Sequence, residues 1–110
     1  MFVELRTYTA VPGKLPALHQ RFREHTVGMW KTHGWRCKGI WTYKHGGRND
    51  CVVYMLEWED HEERDAAFKS FVTDPAWLKV KAESERDGPL VASIQSDILV
   101  PTDYSPSEPA

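Results

Sequence analysis

Cysteine is scarce in this chain: Cys37 and Cys51 are the only two among 110 residues. That is too few for a disulfide framework, and in a reducing compartment both read as buried thiols behaving as small hydrophobes. Positive charge is not in surplus either. Fourteen Lys and Arg stand against sixteen Asp and Glu, a net charge of −2, so no basic footprint marks a nucleic-acid partner or an anionic membrane surface. No apolar run approaches the ~20 residues of a membrane-spanning helix. The first residues, Met1-Phe2-Val3-Glu4-Leu5, enter a strand pattern without a basic leader, which predicts a cytoplasmic protein. Signature loops are missing as well. GxGxxG, GxxxxGK, CxxC, HExxH and GxSxG do not occur, so nothing calls for a nicotinamide, flavin, nucleotide or zinc cofactor, or for a serine triad.

What is present is a repeated order of elements. Phe2 to Thr9 alternates with period two: Val3, Leu5 and Thr7 point one way, and Phe2, Glu4, Arg6 and Tyr8 the other. Aromatic and charged residues on one face predict a surface that is covered yet polar. A helix is expected from about Lys14 to Thr32, with Leu15, Leu18, Phe22, Thr26, Met29 and His33 as its buried stripe and Arg21 facing solvent. Pro16 fits its first turn and Gly34 its end. Trp35 to Lys44 reads as a strand with Cys37, Gly39 and Trp41 on one face, and Gly39 marks a bulge or a close approach. The turn from His45 to Asp50 returns the chain into a third strand, Cys51 to Glu59. Asp60 and Glu63 have capping-box spacing, and Asp74-Pro75 is a second helix start. Leu90 to Val100 is the last strand.

Strand-helix-strand twice over predicts an α+β, ferredoxin-like split βαβ fold with both helical layers on one face of the sheet. The domain spans residues 1–101, and an extended tail covers 102–110. The bare sheet face then needs a cover, and a second copy of the chain is the expected one.

The ordered set Glu4-Leu5-Arg6-Thr7-Tyr8, Pro12-Gly13-Lys14, Arg21-Phe22-Arg23-Glu24-His25-Thr26, Gly39-Ile40-Trp41-Thr42, Asn49, Asp74-Pro75-Ala76-Trp77, Ser84-Glu85 and Gly88-Pro89-Leu90-Val91 resembles the NIPSNAP family. The resemblance covers residues 2 to 106 and implies a dimeric α+β barrel in which two sheets meet face to face. Other barrels of that kind include cofactor-free monooxygenases, lactone isomerases, dehydratases and haem enzymes, so the chemistry implied is by analogy of fold.

The residues themselves offer several constellations. His25 is read either as a histidine hydrogen-bonding polar groups of the core or as a general base at a pocket rim, with haem ligation a more distant option. Arg6 is expected in a buried ion network at the dimer interface, with Glu57 and Asp97 alongside, or orienting an acidic ligand. The chain's tryptophans fit a packed core with an interface, or an aromatic-walled pocket. In the second case Trp41, Trp58, Trp77 and Met29 bind the ligand, and Tyr43 offers a hydrogen bond to a carbonyl or phenol. The functional expectation is a homodimer that binds a small aromatic or keto-type molecule between sheet and helices, without a cofactor, as an isomerase, dehydratase or oxygenase. The alternative is a non-catalytic ligand-binding or accessory protein.

Overall fold

The period-two run folds as strand β1 (Phe2–Ala10), and the chain leaves it through Pro12-Gly13, where Gly13 adopts φ 82°. The computed structural model describes residues 1–106. The long helix begins as α1 (Leu15–Arg21), with Pro16 in its first turn. It is interrupted by a π-helical turn at Phe22–Thr26 before continuing as α2 (Val27–Thr32).

The interruption corrects the expected stripe. Leu18, Arg21, Phe22, Thr26 and Trp30 are buried, while Met29 is only half-buried. Leu18, Phe22, Thr26 and Trp30 advance in steps of four, and each such step overshoots a 3.6-residue turn by about 40°. The wider π turn, in which the Val27 N–H bonds the Phe22 carbonyl, absorbs that drift and keeps all four on the sheet.

Strands β2 (Arg36–Thr42) and β3 (Cys51–Trp58) form a hairpin around an exposed turn containing Gly46 at φ 109°. Helix α3 (His61–Val72) is capped by the Asp60 carboxylate, which accepts the Glu63 N–H at 2.8 Å. Glu63 returns a bond to the Glu59 N–H at 3.3 Å, one residue earlier than a standard capping box. Helix α4 (Pro75–Ser84) starts on Asp74, whose side chain accepts the Ala76 N–H at 2.9 Å. Strand β4 (Val91–Leu99) completes a four-stranded antiparallel sheet in the order β2-β3-β1-β4. This is the ferredoxin-like split βαβ arrangement.

The core lies between the sheet and the helices. Val52, Tyr54, Leu56 and Trp58 of β3 are buried, and Trp30, Trp35, Phe68 and Phe71 pack over them. Register then assigns every neighbour a side. Glu4 pairs with Leu56, Arg6 with Tyr54 and Tyr8 with Val52, so all three belong to the helix-covered face. Glu57 and Asp97 pair with Val3 and Leu5, which places them on the opposite face from Arg6 and corrects the expected approach.

A bulge between Cys37 and Gly39 breaks the alternation of β2. Cys37 pairs with Leu56 on the helix side, whereas Trp41 pairs with Val53 on the open side, so the single face expected for both is not formed. Gly39 leaves room for the Trp41 ring to lie on the strand: a Cβ would sit 2.6 Å from Trp41 Cζ2 and would push that half-exposed ring aside.

The open face carries Val3, Leu5, Val53, Met55, Trp41 and Leu99, all partly or largely exposed. Cys37 and Cys51 are free thiols. Among the described residues no helix is long and apolar enough to cross a membrane. Beyond β4, residues 101–106 are exposed, and the rest of the expected tail, 107–110, lies outside the described residues.

Candidate functional site

Glu4 is completely buried and gathers five donors. Its Oε1 accepts from Trp58 Nε1 (3.0 Å) and Arg64 Nε (2.8 Å). Its Oε2 accepts from Arg64 Nη2 (3.0 Å), Arg6 Nη1 (3.1 Å) and Ser96 Oγ (2.5 Å). Burial by itself raises a carboxyl pKa, but the bonds from Arg64 and Ser96 and the charges of Arg64 and Arg6 outweigh it, holding Glu4 at about 2 against an ordinary 4.5. The network therefore lies beneath α3, which supplies Arg64, and not on the open sheet face where an interface network was expected.

Arg6 extends the network toward a cavity. Its Nε donates to Tyr54 Oη at 2.7 Å, its Nη2 to Tyr8 Oη at 3.5 Å, and Tyr54 Oη donates to Tyr8 Oη at 3.0 Å. Burial opposes the charge on Arg6, yet the phenol oxygens of Tyr54 and Tyr8 more than restore it, so the guanidinium stays charged. Burial pushes the Tyr54 phenol well above its usual pKa, with Tyr8 adding to the shift, so Tyr54 remains a donor. The chain Arg6→Tyr54→Tyr8 ends on the O–H of Tyr8, for which no described residue supplies an acceptor.

Tyr8 and Arg6 line a cavity of about 500 Å³ bounded by the π turn, α3, α4 and the start of β4. Its walls are largely aromatic, and Trp77 stacks on Phe71 at 4.7 Å. Trp30 also lines it, and the Trp30 indole N–H is buried without a hydrogen-bond partner among the described residues. An orphaned buried donor costs about 1–3 kcal/mol.

Of the residues singled out from sequence, Arg6 and Trp77 meet in this cavity. Trp58 is fully buried beneath it as a ligand of Glu4, and Met29 packs half-buried against the core. His25 is exposed and lines a separate groove of about 260 Å³ with Arg21 and Ser84. That volume lies below the ~300 Å³ at which ligand pockets usually begin. Trp41 and Tyr43 line a third depression beyond the end of the hairpin and are 50% and 42% exposed. The bulge and the hairpin thus separate the aromatic pair from Trp58 and Trp77. Sequence reasoning missed Tyr8, Tyr54, Arg21 and Trp30. Tyr8 alone carried a signal, since it shares the covered polar face with Glu4 and Arg6.

The NIPSNAP family model matches residues 3–106. The chain belongs to the NIPSNAP family. No curated protein matches it. Among solved structures, a NIPSNAP domain protein of Burkholderia xenovorans is 27% identical, with 97% of this chain and 100% of that one covered and a TM-score of 0.81. A NIPSNAP family protein of Agrobacterium tumefaciens superposes with a TM-score of 0.84 over 97% of this chain and 98% of that one at 22% identity, a likeness of fold. A protein of Nitrosomonas europaea, assigned as an antibiotic biosynthesis monooxygenase, shares the fold alone. It is 13% identical, with a TM-score of 0.63 over 92% of this chain and 98% of that one. NIPSNAP membership thus agrees with the resemblance read from residues 2 to 106.

Proposed function

We propose that this NIPSNAP protein is a homodimer that binds a small aromatic or keto-type molecule in the 500 Å³ cavity and acts on it without a cofactor, as an isomerase, dehydratase or oxygenase. The observation that carries this reading is the hydrogen-bond chain Arg6→Tyr54→Tyr8, ending at an aromatic-walled cavity on an O–H with no acceptor among the described residues. The preorganised Tyr8 O–H suits a carbonyl or phenolate oxygen. As charge develops on that oxygen, the Arg6 guanidinium two bonds away stabilises it through Tyr54 at low local dielectric. Arg6 and Trp77 enter this reading as site residues, while His25, Tyr43, Trp41, Trp58 and Met29 stand outside the cavity wall. The two free thiols fit a reducing, cytoplasmic setting.

A second reading is binding without turnover. It is favoured by the cavity lining itself, which contains no histidine and so no side chain that ordinarily titrates near neutrality. Thermal-shift titration with aromatic acids, aromatic ketones and phenols tests both readings, because stabilisation follows mass action. At least one class should stabilise the protein. Tyr8→Phe should weaken that ligand about fivefold, the worth of one neutral hydrogen bond. Turnover of the hit, followed by chromatography, separates enzyme from binder. Ligands insensitive to Tyr8→Phe, or the absence of any hit, would remove the cavity from consideration.

A further inference from the structure

We infer that Arg21 receives the carboxylate of the ligand, so that the molecule bound is an organic acid with an aromatic body. This rests on the small-molecule cavity proposed above and names its anion site.

Arg6 is the cation that sequence suggests for such a role, but its nitrogens are committed: Nη1 to Glu4, Nε to Tyr54 and Nη2 to Tyr8. Arg21 is different. Its side chain is only 7% exposed, yet it donates through Nη1 alone, to Ser84 Oγ at 3.1 Å and Glu85 Oε2 at 3.4 Å. Its Nε and Nη2 have no acceptor among the described residues, and together they form the edge of a guanidinium that takes a carboxylate bidentately. Arg21 and Trp30 line the same cavity.

Charge points the same way. The lining cations are Arg6, Arg21 and Lys81, and the one lining carboxylate is Glu85. Glu4 pairs with Arg6 from beneath and Glu85 with Arg21, so the lining, with Lys81, carries one positive charge more than its carboxylates answer. Burial lowers the pKa of Arg21 despite Glu85, the sign of a buried charge that its protein partner does not fully compensate.

Local backbone supplies a third argument. Arg21 directly precedes the π turn, and the Thr26 hydroxyl donates to the Arg21 carbonyl at 3.3 Å across it. Such turns give up regular helical bonding and recur where a helix must present side chains to a site. Here the turn brings Arg21, Phe22, Thr26 and Trp30 onto one cavity wall. The Trp77 ring, 5.3 Å from Arg21 Cζ, provides an aromatic surface beside the charge.

Calorimetric titration of the full chain with 1-naphthoate and with 1-naphthamide, its uncharged near-isostere, decides the matter. The wild type should bind the naphthoate about tenfold or more tightly than the amide. Arg21→Gln should abolish that preference while leaving amide affinity nearly unchanged. Glu85→Gln, which removes the carboxylate competing for Arg21, should strengthen naphthoate several-fold and leave the amide as it was. Equal affinity for the two probes in the wild type overturns the assignment of Arg21 and leaves the cavity reading standing. So does a preference that survives Arg21→Gln but is lost in Arg6→Gln. Should Arg21→Gln fail to fold, no gain in naphthoate binding by Glu85→Gln overturns the assignment. If neither probe binds the wild type at millimolar concentration, the cavity reading fails and the anion site with it.

Discussion

Glu4 shows how one side chain can tie a site to the fold. It touches β3 through Trp58, β4 through Ser96, α3 through Arg64 and the cavity through Arg6. Because its folded pKa of about 2 lies below the ordinary 4.5, its contribution to stability is complete above about pH 4.5 and is lost as pH falls toward 2. Urea titrations at about pH 6 and about pH 3 should show that loss, and Glu4→Gln should flatten the difference between them. At neutral pH the same substitution should cost about 3 kcal/mol, since it takes from Arg6 its carboxylate and leaves Arg64 with Asp65 alone. Equal stability of wild type and variant at neutral pH would show that the carboxylate is dispensable. The polar character of this face was legible from Glu4, Arg6 and Tyr8 alternating with Val3, Leu5 and Thr7. The burial of Arg21 was not. On a regular helix it falls outside the apolar stripe, and only the docking of α4, with Ser84 and Glu85, closes over it.

Among elements, those that stop and start on a single residue were the easiest to read. Asp60, Asp74 and Gly34 cap or end their helices as their chemistry dictates. Asp60→Ala should destabilise the protein by about 1 kcal/mol and Asp60→Asn by much less, as read from urea midpoints. Indistinguishable midpoints would mean that α3 does not depend on its cap. The π turn escaped the sequence, and the bulge was legible at Gly39 as one of two options but without its effect on the faces of the strand. A π turn and a β-bulge each add one residue to a repeat, and an apolar pattern that tolerates the addition looks regular on either side of it. In β2 the shift puts Cys37 and Trp41 on opposite sides of the sheet, and this is why the aromatic cavity expected around Trp41 does not form. In the long helix it selects Trp30 over Met29.

At the scale of the molecule, the sheet is covered on one side only. Val3, Leu5, Val53 and Met55 lie on the two central strands and are partly exposed, an arrangement sheets resolve by packing against another layer about 10 Å away. The proposed homodimer closes this face by a two-fold axis, so each protomer presents the same patch. Light scattering at micromolar concentration should give about twice 12.7 kDa, and Leu5→Glu, which introduces a charge facing its own copy, should halve that mass. A wild-type particle of 12.7 kDa would rule the arrangement out.

One consequence follows from the register of β1. Its even positions furnish the cavity wall at Arg6 and Tyr8 and its buried support at Glu4, and its odd positions, Val3, Leu5 and Thr7, furnish the opposite surface. The two tasks are interleaved along nine residues yet insulated by the pleat. In the proposed ligand-binding dimer, ligand preference can therefore drift at the even sites while self-association is held at the odd ones. A single-residue insertion into this strand would trade the two sets and erase both.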